Sequence, residues 1–137
     1  MKIVIGGSMA FAKEQIEAKK ILEEKGHIVL ITDNIEEYAQ NAAIKQSFEQ
    51  ELKISLDFDI MRSFFNKIDE SDAFLVMNYT KKGIPGYLGA SVLMELGLAY
   101  HLKKKIYLLN DVDKSQSYAL EVAIIQPKIL NGDISKI

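Results

Sequence analysis

The sequence contains no cysteine. Disulfides, thiolate nucleophiles and Cys-based zinc or iron–sulfur centres are thereby excluded. Histidine is scarce: His27 and His101 fall on different expected elements, so no metal site is anticipated. Arg62 is the lone arginine, which gives little support to a bidentate guanidinium clamp on phosphate. Neither sign of charge is in excess. Seventeen Lys and Arg face nineteen Asp and Glu, for a net charge of -2 and a pI near 5.7, so the basic footprint of a nucleic-acid or acidic-membrane binder is missing.

Long apolar runs are lacking as well. The opening MKIVIGGSMAF has no extended apolar segment of the signal-peptide kind, and charged residues interrupt each later run before membrane-spanning length. A cytoplasmic, reduced compartment is the expectation. There is no GxxxxGK[ST] motif for ATP-driven phosphoryl transfer, and the first turn lacks the full G-x-G-x-x-G spacing of dinucleotide-binding folds. No period of twenty to fifty residues repeats.

What remains is an ordinary globular composition, 48% hydrophobic and 26% charged over 137 residues, which fits one domain over residues 1–137 with a real core. Lys2–Ile5 is a short β-branched run stopped by Gly6 and Gly7. Ser8 is placed to cap a helix reaching about Lys25, with Lys13, Glu17, Lys20 and Glu24 on one stripe opposite Phe11, Ala18 and Leu22. His27–Thr32 is a second strand, apolar enough to be covered on both faces. Residues 35–54 and 57–70 read as helical. Ala73–Met77 is a third strand ending at Asn78 and Tyr79. A glycine-punctuated loop follows, then a helix from about Ser91 to Lys103, a strand at Lys105–Leu109, a weak helix at Ser115–Ile125 and a short strand at Lys128–Leu130. Apolar strands alternating with helices imply βαβ units, hence an α/β fold with a parallel sheet between helix layers. Ligands in such folds bind beyond the carboxyl ends of the strands. That singles out the loops Gly6–Met9, Thr32–Glu36 and Asn78–Ala90.

One residue stands out against this frame. In the run VLMELGLAYHL (92–102), Glu95 is the only carboxylate, and the helix has no polar stripe. Its helical neighbours are Ser91, Val92, Leu98 and Ala99. A buried carboxylate without a partner is costly and tends to stay neutral. Two readings stand at this point: Glu95 faces a ligand cleft, or it is structural, capping a neighbouring loop or pairing with a lysine across a subunit interface. The missing polar face also suggests burial on both sides of this helix, hence a homodimer. Gly97, costly in a helix interior, marks a close approach by a backbone or ligand.

Three stretches carry a resemblance. I-G-G-S-M-x-F at residues 5–11, S-D-A-F-L-V-M-N at residues 71–78, and G-A-S-V-L-M-E-L-G-L-A at residues 89–99 followed by K-K-K-I-Y-L-L resemble the nucleoside 2-deoxyribosyltransferase superfamily, which includes 2′-deoxynucleoside 5′-phosphate N-hydrolases. The resemblance implies a flavodoxin-like three-layer sandwich with a parallel sheet of four to five strands, assembled as a homodimer or larger. It implies cleavage of the N-glycosidic bond of a deoxyribonucleoside or its 5′-monophosphate, without a cofactor. Glu95 matches the family's nucleophile. Asp59 is the nearest match to its acid, although it stands farther from the third strand than the family pattern, and an ordinary helix-start aspartate is the competing reading. Gly6, Gly7 and Ser8 would line the base or ribose pocket. Asn78 and Tyr79, closing the third strand at the pocket rim, would hydrogen-bond and stack a base, with solvated loop residues as the alternative; Gly89 and Ser91 would complete the substrate contacts, with the alternative that Ser91 is a helix N-cap. A nucleotide-binding module without turnover is the alternative function on the same scaffold.

Overall fold

The computed structural model describes residues 1–40 and 46–137. Its centre is a five-stranded, all-parallel sheet in the order β2-β1-β3-β4-β5. The strands are β1 (Lys2–Gly6), β2 (Ile28–Leu30), β3 (Ala73–Val76), β4 (Lys105–Leu108) and β5 (Lys128–Ile129). The helices are α1 (Ala12–Glu24), α2 (Ile35–Gln40), α3 (Phe48–Asp57), α4 (Ile60–Asp69), α5 (Ala90–His101) and α6 (Ala119–Ile124). This is the expected flavodoxin-like α/β arrangement.

The continuous apolar strands follow from coverage on both faces. Alternate residues of β1, β3 and β4 point to opposite layers. Ile3, Ile5, Ala73, Leu75, Tyr107 and Leu109 pack with Ala18 and Leu22 of α1. Val4, Phe74, Val76, Ile106 and Leu108 pack with Phe64 and Ile68 of α4, Val92, Leu96 and Ala99 of α5, and Val122 of α6. The sheet therefore carries α1 on one side and a layer of α4, α5 and α6 on the other.

Several boundaries differ from expectation. The second strand is only Ile28–Leu30, and it is an edge strand. Its single neighbour is β1, and Ile28 is 64% exposed, so it is not covered on both faces. Ser8 does cap, but what it caps is a 3-10 turn over Met9–Phe11 from which α1 proper starts at Ala12. The helical reading of 35–54 resolves into α2 and α3, with 41–45 outside the described residues. Ser47 and Gln50 bond reciprocally to each other's backbone N–H, which fixes the start of α3. The 57–70 helix is broken by Asp59, at φ 46° in the left-handed region. The last helix is shortened because Asp113 draws Ser115 into a local turn, accepting from its backbone N–H and its hydroxyl.

Candidate active site at the carboxyl edge of the sheet

The strand order reverses direction between β1 and β3, and the loops leaving these two strands are tied to each other. Gly6 ends β1 where a Cβ would come within 2.8 Å of the Phe74 ring. Gly7 has φ +136°, and a Cβ there would meet the Met77 carbonyl at 3.1 Å. The turn needs both glycines. Ser8 follows, and its Oγ accepts from the Ala10 N–H at 3.3 Å and from Lys81 Nζ at 2.8 Å. Beneath the turn lies Gln15, fully buried. Its Nε2 donates to the Ser8 carbonyl at 3.0 Å, while Oε1 has no partner among the described residues.

The loop after β3 is built around Asn78, which is buried. Its Nδ2 donates to the carbonyls of Gly86, at 3.3 Å, and Asn110, at 2.7 Å. Its Oδ1 accepts from the Asn110 N–H at 2.9 Å. The side chain is committed to holding the glycine loop against the loop after β4. Gly86 is the contact point: it has φ +60°, and a Cβ would sit 2.0 Å from the Asp111 carbonyl oxygen. Between them Lys82 and Gly83, both at positive φ, make the tight turn that pairs Lys81 with Ile84. The ammonium groups of Lys81 and Lys82 lie 5.5 and 5.7 Å from the Tyr87 ring centroid. Tyr79 packs against Phe11 at 5.1 Å. Burial, with some help from the Glu14 charge, raises its hydroxyl pKa.

Glu95 occupies the helix that this loop leads into. Gly89 is the N-cap of α5, with no side-chain cap. Ser91 therefore lies inside the helix, exposed, and is not the cap. Glu95 sits in the second turn of α5. It is half-buried, and burial pushes its carboxyl from an ordinary 4.5 up to about 8. No lysine or arginine pairs with it and no donor bonds to it among the described residues. Among the described residues it is therefore in no structural ion pair, and it stands as a carboxyl raised by desolvation.

Asp59 is placed at the start of α4, exposed, with its Oδ2 accepting from Arg62 Nε at 2.9 Å. It makes no bond to Glu95. The Thr32–Glu36 loop is anchored by Asp33, whose carboxylate accepts from Lys67 Nζ at 2.9 Å and Ser63 Oγ at 3.1 Å; the Lys67 bond is the chief reason its pKa is lowered. His101 is the exposed last residue of α5. No group of three or more His, Asp or Glu among the described residues could hold a metal ion, and no helix there is long and apolar enough to cross a membrane.

The structure thus brings Gly6, Gly7, Ser8 and Tyr79 to one place, with Asn78 as the clamp behind them. Gly89, Ser91 and Glu95 come from the start of α5, and Asp59 from the start of α4. Sequence reading did not place Gln15, Phe11, Tyr87 or Lys81 in the site. No local pattern marks Lys81: Lys82 and Gly83 form the tight turn beside it, and its bond to Ser8 is made across 73 residues.

Comparison with protein-family models gives no match, and comparison with curated proteins gives none. Among solved structures the chain is similar to the Clostridium botulinum CMP N-glycosidase BcmB. The identity is 17%, the TM-score 0.49, and the alignment covers 94% of this chain and 85% of that one. A likeness of this degree identifies neither residues nor substrate.

Proposed function

We propose that this chain cleaves the N-glycosidic bond of a deoxyribonucleoside or its 5′-monophosphate, with Glu95 as the nucleophile. The observation that supports the reading is the Glu95 carboxyl itself: half-buried, raised by desolvation, with no donor among the described residues, on the helix that follows the loop after β3; ligands in such sheets bind at that edge. One Glu95 oxygen attacks C1′ as the C1′–N bond breaks, and the bonding pair leaves with the base. A glycosyl ester results, which water or a second base then displaces. The cation-like sugar of the transition state is stabilised by the adjacent carboxylate. Asp59 is the proposed source of the proton that the departing base takes up. It would have to leave its exposed pair with Arg62, a weak interaction.

In this proposal Ser8, Tyr79, Gly89 and Ser91 bound the nucleoside, and Gly6 and Gly7 let the backbone approach it. Asn78 acts through the loop it clamps. The chain works on a small molecule in the cytoplasm, as a homodimer or larger homo-oligomer. No cofactor enters this chemistry.

The test is release of free base, followed by chromatography, from the deoxynucleosides, their 5′-monophosphates, AMP and NAD. Release by wild type that is lost in Glu95→Gln supports the reading. Silence across the panel, with thermal stabilisation by a nucleotide, would establish instead a binding module without turnover. Asp59→Asn is expected to slow release without lowering the melting temperature.

A further inference from the structure

Ser8 and Lys81 meet at the carboxyl edge of the sheet, and together they offer a ligand hydrogen-bond donors only. A serine hydroxyl has two lone pairs and one O–H. Both acceptor positions of Ser8 Oγ are taken, by the Ala10 N–H at 3.3 Å and by Lys81 Nζ at 2.8 Å. What Ser8 has left is its O–H. An ammonium has three N–H groups and no lone pair. Lys81 uses one of them on Ser8, and no carboxylate pairs with it among the described residues. The other two N–H groups are uncommitted there.

The backbone holds both groups in place. The fully buried Gln15 donates to the Ser8 carbonyl at 3.0 Å, and Lys81 is bridged to Ile84 across the tight turn. Both Ser8 and Lys81 are partly buried. An ammonium in that position whose hydrogen-bond partner is a neutral hydroxyl is under-satisfied, and an oxygen acceptor from a ligand supplies what it lacks. Two kinds of oxygen fit donors alone, a phosphate oxygen and a carbonyl of a base. The surroundings favour the carbonyl. Phe11, three residues after Ser8, and Tyr79, two before Lys81, pack ring to ring at 5.1 Å, and both stay partly exposed. Rings beside hydrogen-bonding groups are how proteins hold an unstacked base. A phosphate clamp draws instead on arginine, and Arg62 is bonded to Asp59 at the start of α4.

We infer that Ser8 and Lys81 select the base by a carbonyl oxygen, so that a nucleotide with an oxo base is preferred over its amino counterpart. An amino group at the same place sets donor against donor and leaves the N–H groups of Lys81 desolvated without a partner, which is the most discriminating kind of mismatch. Lys81 acts here as a specificity residue in binding, apart from the bond-breaking assigned to Glu95. That the ligand is a substrate rests on the glycosidase reading; the preference between bases does not.

The test is calorimetric titration of the full chain carrying Glu95→Gln, so that no ligand is consumed, with two matched pairs: dIMP against dAMP, and dUMP against dCMP. Each pair exchanges an oxo group for an amino group. In any pair the protein binds, the oxo member should be held severalfold tighter. Adding Lys81→Met should weaken the oxo member severalfold and leave the amino member unchanged, whereas Lys81→Arg, which keeps the donors, should retain the preference. Equal binding within a pair, tighter binding of the amino member, or no binding of any of the four overturns the inference. So does a Lys81→Met loss that is the same for oxo and amino members; if that loss vanishes with the free deoxynucleosides, the oxygen held by Lys81 belongs to the phosphate. The ratio within a pair needs no change at position 81, so it decides the preference even where a variant folds poorly. Discrimination without base release by wild type sinks the glycosidase reading and leaves this one standing; base release without discrimination does the reverse.

Discussion

Glu95→Gln should make the protein more stable, and increasingly so as pH rises. The folded chain holds the Glu95 carboxyl at about 8 where an ordinary glutamate sits at 4.5, with burial as the cause. Below 4.5 both folded and unfolded chains carry the proton, and nothing is lost. Between 4.5 and 8 the unfolded chain releases it while the folded chain keeps it, so the unfolded state gains and stability falls as pH rises. Above 8 the loss is complete. The displacement corresponds to about 5 kcal/mol at full effect, and the open side of the residue reduces this to an expected ~2–4 kcal/mol. Glutamine has the same shape and does not titrate. Urea denaturation of wild type and Glu95→Gln at one protein concentration should give similar stabilities near pH 4.5 and a variant advantage that grows through this window. A difference that stays flat with pH refutes the desolvation argument. A variant less stable at every pH shows that the carboxylate has donors and serves the fold.

Base release by wild type should rise with pH toward about 8, because a nucleophile must be ionised and only about a tenth of Glu95 is so at pH 7 in the free chain; a pH–rate profile that instead falls through this range assigns Glu95 to proton donation. Asn78→Ala removes three side-chain bonds and leaves buried backbone groups unpaired, so thermal or urea unfolding should show a loss of about 2–4 kcal/mol. Gly86→Ala places a Cβ against the Asp111 carbonyl at a positive φ and should cost about 3 kcal/mol or more, whereas Gly26→Ala, in open space at φ +93°, should cost about 1 kcal/mol. Lys81→Met loses the bond to Ser8 and should raise KM severalfold with little change in kcat.

The layered fold was legible because each central strand is apolar on both of its faces, and only a sheet covered on two sides demands that. The same rule misled at β2, where an apolar run sits on an edge and Ile28 faces solvent; strand order, not composition, decides coverage. Glu95 was legible because its helix has no other charge. The start of that helix was less legible, since Ser91 looks like a cap while Gly89, two residues earlier, takes that place. Lys81 and Gln15 were illegible for a different reason. A lysine pair on a loop and a glutamine on an amphipathic helix are ordinary by local pattern; only the approach of the loop after β3 to the turn after β1 puts Lys81 on Ser8, and only the way that turn folds over α1 puts Gln15 beneath it.

The absence of a donor at Glu95 among the described residues and its raised pKa are one fact seen twice. A carboxylate that accepts two or three N–H bonds is cheap to ionise, but its charge is then already satisfied before any substrate arrives. Such a group gains little when a positive centre develops beside it. Glu95 is in the opposite condition: its charged form is unsatisfied in the free protein, so the interaction it lacks is available to whatever cation forms within reach. On the proposed chemistry that cation is the sugar at C1′, which exists only as the glycosidic bond breaks. The stabilisation is then made in the transition state and not in the ground state, which is the condition for it to raise the rate. The instability of the free carboxylate and the reactivity proposed for it share a single physical cause, a charge held out of water with its partner still to come.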